Sequence, residues 1–186
     1  MITRRHSAGL LRPVLATLLS VATLSVASGT AASGATSPVC RSNQLRIVFA
    51  SGGAGLGHVA LLIRYTNVSP RACTLSGYPR ITLNNAAGTT TTDARRTQHG
   101  YLGGLGQTAT PRANPVVTLQ ALTGVASTMM EGTDVPVGSA TSCLTLTKLN
   151  LTLPGKKLSY HFLTKFPGCS VPEVHPFVQG PSGELR

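Results

Sequence analysis

Four histidines that follow the N-terminal region, His58, His99, His161 and His175, five carboxylates, Asp93, Glu131, Asp134, Glu173 and Glu184, and four cysteines, Cys40, Cys73, Cys143 and Cys169, are the side chains best suited to chemistry. A metal centre needs ligands at short, regular spacings. The histidines offer neither His-x-His nor His-x-x-x-His, and no two cysteines form a Cys-x-x-Cys pair. The sequence therefore predicts no metal and no cofactor. Glycoside hydrolysis needs two carboxylates flanking one bond, and the five here fall in segments that read as turns or tail. There is no Gly-x-Ser-x-Gly elbow for a serine nucleophile, and the cysteines are better used as disulfides than as nucleophiles. The run Gly53-Ala54-Gly55-Leu56-Gly57 lacks a following Gly-Lys-Ser/Thr and leads into a strand, not into a helix whose N-terminus could hold phosphate. No catalytic residue is identified, and the expectation is a protein that is not an enzyme.

What remains is charge. The chain carries 16 Lys and Arg against 5 Asp and Glu, which suits an anionic partner such as an envelope polymer or phospholipid headgroups. Arg95-Arg96, together with Arg112, form the best candidate anion contact, with Lys156-Lys157 second; solvated surface charge is the plainer reading of both. Few aromatics accompany these cations, so base stacking and specific nucleic-acid recognition are not expected. Tyr78, beside Pro79, reads as a packed corner residue, with an aromatic surface contact as the alternative.

Arg4, Arg5 and Arg12, an apolar run over residues 13–27 and a small-residue tract over 28–37 follow the order of a secretory signal peptide. Several small-residue triplets could be cut, and cleavage after Ala35 would leave residues 36–186. The apolar run is shorter than the roughly 20 residues that span a bilayer, so no transmembrane segment is expected after cleavage. Pro38 and Val39 stand where small residues should precede a lipidated cysteine, so Cys40 reads as a disulfide partner. An even cysteine count in an exported chain implies a disulfide framework. Three pairings exist; Cys40 with Cys73 and Cys143 with Cys169 are favoured because both close local loops.

About 150 mature residues suit one domain. Short β-branched runs recur about every ten residues, punctuated by Gly, Pro and Asn, with no helical period. Residues 44–50 form a first strand with Leu45, Ile47 and Phe49 inward, ended by the glycine tract. Residues 58–67 are apolar on both faces and so central. Residues 84–88 make a hairpin loop, 95–115 a long loop with at most one edge strand, and 144–153 a strand with a bulge near Lys148. A Pro-rich tail begins at Phe166-Pro167-Gly168. The predicted fold is an all-β antiparallel β-sandwich, immunoglobulin-like, of about eight strands.

Gly53-Ala54-Gly55-Leu56-Gly57-His58, Tyr65-Thr66-Asn67-Val68-Ser69 and Cys73-Thr74-Leu75-Ser76-Gly77-Tyr78-Pro79 together resemble the actinobacterial domain of unknown function 4232 over about residues 40–170. The Cys-Thr-Leu-x-Gly-Tyr-Pro segment is its specific part. Arg80 stands where the family often has a small residue, and the family's Pro-Gly step is blurred around residues 120–124. The resemblance implies an exported domain with no established activity.

The expected function is an extracellular or cell-envelope binding module. The alternatives are an accessory subunit of an envelope complex, signalled by a large apolar surface patch, and an enzyme, signalled by a pocket that holds a histidine with a carboxylate.

Overall fold

A computed structural model describes residues 37–106, 113–156 and 159–185. The leader read at residues 1–35, Arg112 and Lys157 lie outside the described residues. After a 3-10 turn at Ser42–Gln44, the chain runs through β1 (Leu45–Gly55), β2 (His58–Asn67), β3 (Cys73–Ser76), β4 (Arg80–Asn85) and β5 (Thr91–Asp93). The short strands β6 (Arg95–Arg96) and β7 (Gly104–Leu105) follow, and then β8 (Val116–Leu119), β9 (Val125–Thr133), β10 (Leu144–Thr152) and β11 (Ser159–Gly168). Three two-residue strands, β12 (Glu173–Val174), β13 (Val178–Gln179) and β14 (Glu184–Leu185), end the described chain.

One sheet has the order β1-β2-β9-β12-β6 with β13 also on β9; a second has β11-β10-β4-β5; β14-β7 and β3-β8 are small ribbons. The two large sheets share one core, a sandwich-like arrangement. Ile63, Tyr65 and Met130 from the first meet Ile81, Leu83, Leu149, Leu151 and Phe166 from the second. The expected β-sandwich is present, and eight of the strands have at least four residues. It is not purely antiparallel, since β6 runs parallel to β12 and β7 to β14. Cys40–Cys73 and Cys143–Cys169 are the disulfides. Each closes a loop worth about 3–4 kcal/mol in the chain-entropy account.

β2 spans the expected residues and lies between β1 and β9. Its two apolar faces have two destinations. Ile63 and Tyr65 enter the main core, whereas Ala60 and Leu62 join Met129, Ala50 and Leu102 in a second cluster on the sheet's other side. The bulge in β10 falls between Leu146 and Lys148, as expected.

Three expectations are corrected. The glycine tract does not end β1; it forms its second half, paired with the start of β2. Gly52 allows this because a Cβ there would lie 2.8 Å from the Ala60 Cβ. The reversal needs only Leu56 and Gly57, both at positive φ, 50° and 80°, as a two-residue hairpin turn requires. The long loop holds two short strands, β6 and β7, instead of at most one. Residues 166–168 belong to β11, and the segment read as tail folds into the sheets, with Val174, His175, Phe177 and Val178 fully buried. Phe177 meets Tyr65 edge to face at 5.1 Å, so this Pro-rich stretch anchors itself by apolar burial instead of by long ladders.

The motif residue Asn67 is fully buried. Its Nδ2 donates to the Arg71, Leu119 and Gln120 carbonyls at 2.8, 3.2 and 3.1 Å, and its Oδ1 accepts from the Ser69 amide and hydroxyl. Asn67 thus ties the end of β2 to the β8–β9 connection, a structural role.

Candidate functional site

Two clefts of similar size flank β6, and they treat their charges in opposite ways. The first, of about 510 Å³, opens over the outer face of the large sheet at His58, Glu131, Tyr101 and the Arg95–Glu173 pair. Strand register builds it. Glu131 lies opposite Ala60, with His58 one step further along the same face.

Glu131 is 4% exposed, and a buried carboxylate must be matched by donors. Its Oε1 accepts from His58 Nδ1 at 3.0 Å and from the Tyr101 amide at 2.9 Å. Its Oε2 accepts from the Leu102 amide at 2.8 Å and lies 3.5 Å from His175 Nε2. Where the carboxylate oxygen accepts, the His58 proton in this contact is the one on Nδ1. The Tyr101 ring stacks on the His58 imidazole at 4.5 Å and 15°.

Gly100 passes directly over this contact. A Cβ there would strike Glu131 Oε2 and come within 2.8 Å of His175 Nε2. Burial pushes the His175 imidazole below its usual range, against the opposing pull of the Thr97 carbonyl and of Glu131 and Glu173. Thr97 Oγ1 donates to Glu173 Oε2 at 3.2 Å, and Glu173 pairs with Arg95. The whole cluster pins the segment around residues 97–105 onto the sheet.

Chemically, a histidine oriented by a carboxylate in a cleft is a base with its orienter. Here, however, the carboxylate is filled by two backbone amides. Among the described residues no hydroxyl or thiol bonds to His58. The expectation that the carboxylates sit in turns or tail is corrected: Glu131 is mid-strand in β9 and Glu173 in β12. The available signal was a lone charge at Glu131 in an otherwise uncharged strand; nothing in the spacing of 58, 131 and 175 revealed their meeting.

The second cleft, of about 460 Å³, lies on the other side of β6, at Tyr78, Arg80, Arg96 and Lys156. Successive strand residues face opposite ways, so Arg95 and Arg96, read as one patch, are divided between the two clefts. Arg96 sits over the half-buried Tyr78 ring, 6.0 Å from its centroid. Burial raises the Tyr78 hydroxyl above its usual range, with Arg96 opposing. Arg80 is held by Asp93 at 3.1 Å. A Thr82 hydroxyl bond of 2.5 Å and the Arg80 contact keep the Asp93 carboxyl below its ordinary range. Among the described residues no carboxylate pairs with Arg96 or Lys156. Lys156, from the second-ranked pair of the sequence reading, thus joins Arg96 from the first.

Among the described residues no group of three or more His, Cys, Asp or Glu side chains could hold a metal ion. No described helix is long and apolar enough to cross a membrane, and the two disulfides suit an oxidising, extracellular setting. No curated protein and no solved structure matches the chain. The model of a family described as a domain of unknown function, DUF4232, matches residues 40–178, most of the chain, and the chain therefore belongs to that family.

Proposed function

We propose that the chain is exported by an N-terminal signal peptide, leaving one mature domain from about residue 36, and acts as a non-enzymatic binding module of an actinobacterial cell envelope or its surroundings. Its partner is anionic. The observation that carries this reading is the meeting of Arg96 and Lys156, two cations that pair with no carboxylate among the described residues, at one cleft beside the Tyr78 ring. An unpaired cation over an aromatic face is a ready contact for phosphate or carboxylate.

The test is binding of the oxidised mature protein to isolated cell envelope at low and high salt. Wild type and Arg95→Gln bind saturably, and the double variant Arg96→Gln/Lys156→Gln does not. Binding that survives high salt would mark a shaped site; binding that vanishes with salt in every variant alike would reduce the function to diffuse charge attraction. No binding at all would end the envelope reading.

The His58–Glu131 pair supports a second reading, an enzyme that uses His58 as a base. It predicts that incubation with envelope material releases soluble fragments, detected by mass spectrometry, and that His58→Gln stops the release. An intact substrate after incubation with wild type removes this reading.

A further inference from the structure

A third hollow, of about 350 Å³, shares residues 153–156 with the cationic cleft as lining. This hollow has a different chemistry. Its walls are Val39, Leu75, Leu153 and Pro154, beside the buried Cys40. Leu75 and Leu153 are each only 2% exposed and form the floor, whereas Val39 is 57% exposed and forms a rim. The rim is firmly placed: Val39 bridges to Thr74 in β3, and the Cys40 amide donates to the Thr74 carbonyl at 2.9 Å.

Resting on the anion-binding reading, the geometry points to an anionic amphiphile as the ligand: a phosphate monoester whose charged group lies between Arg96 and Lys156 and whose alkyl chain crosses residues 153–156 into the Val39–Leu75 hollow. Lys156 lines both hollows, so it stands where such a molecule would change from polar to apolar. A purely polar anion would leave the apolar hollow in water. A neutral amphiphile would leave the two cations unmatched. Only a molecule carrying both parts satisfies both walls, with each buried methylene adding to the affinity.

The experiment measures affinity of the mature protein for three soluble probes below their micellar concentrations: glycerol phosphate, octyl phosphate and octyl glucoside. Octyl phosphate is expected to bind at least about tenfold more tightly than glycerol phosphate, the effect of taking about two methylenes out of water. Octyl glucoside should be the weakest. Val39→Ser should shrink the advantage of octyl phosphate while leaving glycerol phosphate unchanged, and Arg96→Gln/Lys156→Gln should weaken both phosphates. Equal affinity for the two phosphates would overturn the amphiphile inference and leave anion binding standing. Octyl glucoside binding as well as octyl phosphate, or an advantage indifferent to Val39→Ser, would overturn it by showing that the chain binds without this site. Failure of both phosphates would remove the anion-binding reading as well.

Discussion

The clefts on either side of β6 each hold one arginine of the Arg95-Arg96 pair and differ in whether that arginine finds a carboxylate among the described residues. Around Glu131 the carboxylate is answered from within: His58 and two backbone amides donate to it, and Arg95 closes on Glu173. Around Arg96 and Lys156 the cations face solvent beside Tyr78. The first arrangement holds the fold together; the second leaves charge for something outside. A cluster rich in His and Glu is thus the structural one here, and the plainer basic hollow is the proposed site. One arginine dipeptide feeds both, because a strand sends Arg95 and Arg96 to opposite sides.

The largest expected effect separates these roles. Glu131→Ala leaves the His58 imidazole and two backbone amides without their acceptor and should destabilise the fold by about 3–5 kcal/mol in denaturant titration. Anion binding per folded molecule should be unchanged. A loss below 1 kcal/mol would break the comparison.

Gly100→Ala comes next. It drives a methyl group into the Glu131–His175 contact and should cost about 1–3 kcal/mol, again measured as a shift in denaturation midpoint.

A pH effect follows from His175, whose imidazole burial pushes below its usual range. Its folded value lies below the unfolded one of about 6.5. Its contribution is therefore fully present above that value and is lost as pH falls toward the depressed folded value, because the unfolded chain takes up the proton first. Wild type should lose stability from pH 7 downward more steeply than His175→Gln. Parallel stability curves for the two would show that the imidazole is not held this way.

How far the sequence revealed this division follows from the physics of each part. Strand β2, the Leu146–Lys148 bulge and the disulfide pairs depend on local alternation and short loops, and these are visible in a linear reading. The glycine tract misled because its strand character depends on the facing Ala60, which only pairing supplies. The last segment misled because Phe177 and Val178 are buried by distant strands while their neighbours are turn formers. Glu131, His58 and His175 come from three remote positions, and their convergence is a property of sheet register. Charge composition pointed to anion binding, but not to the separation of Arg95 from Arg96 or to the meeting of Arg96 with Lys156.

The smallest stability effects are expected where the function is proposed. Arg96→Gln/Lys156→Gln should stay within about 0.5 kcal/mol of wild type, and Arg95→Gln should cost at most about 1 kcal/mol, as for an exposed ion pair. A double variant that unfolds would make these cations structural and erase the contrast.

The most direct measurement is an NMR titration of the isotopically labelled mature protein with glycerol phosphate. The account predicts saturable shifts at the Tyr78, Arg96 and Lys156 amides and side chains, with His58, Tyr101 and Glu131 unmoved. Shifts centred on His58 and Tyr101, or no saturable shift anywhere, would contradict it.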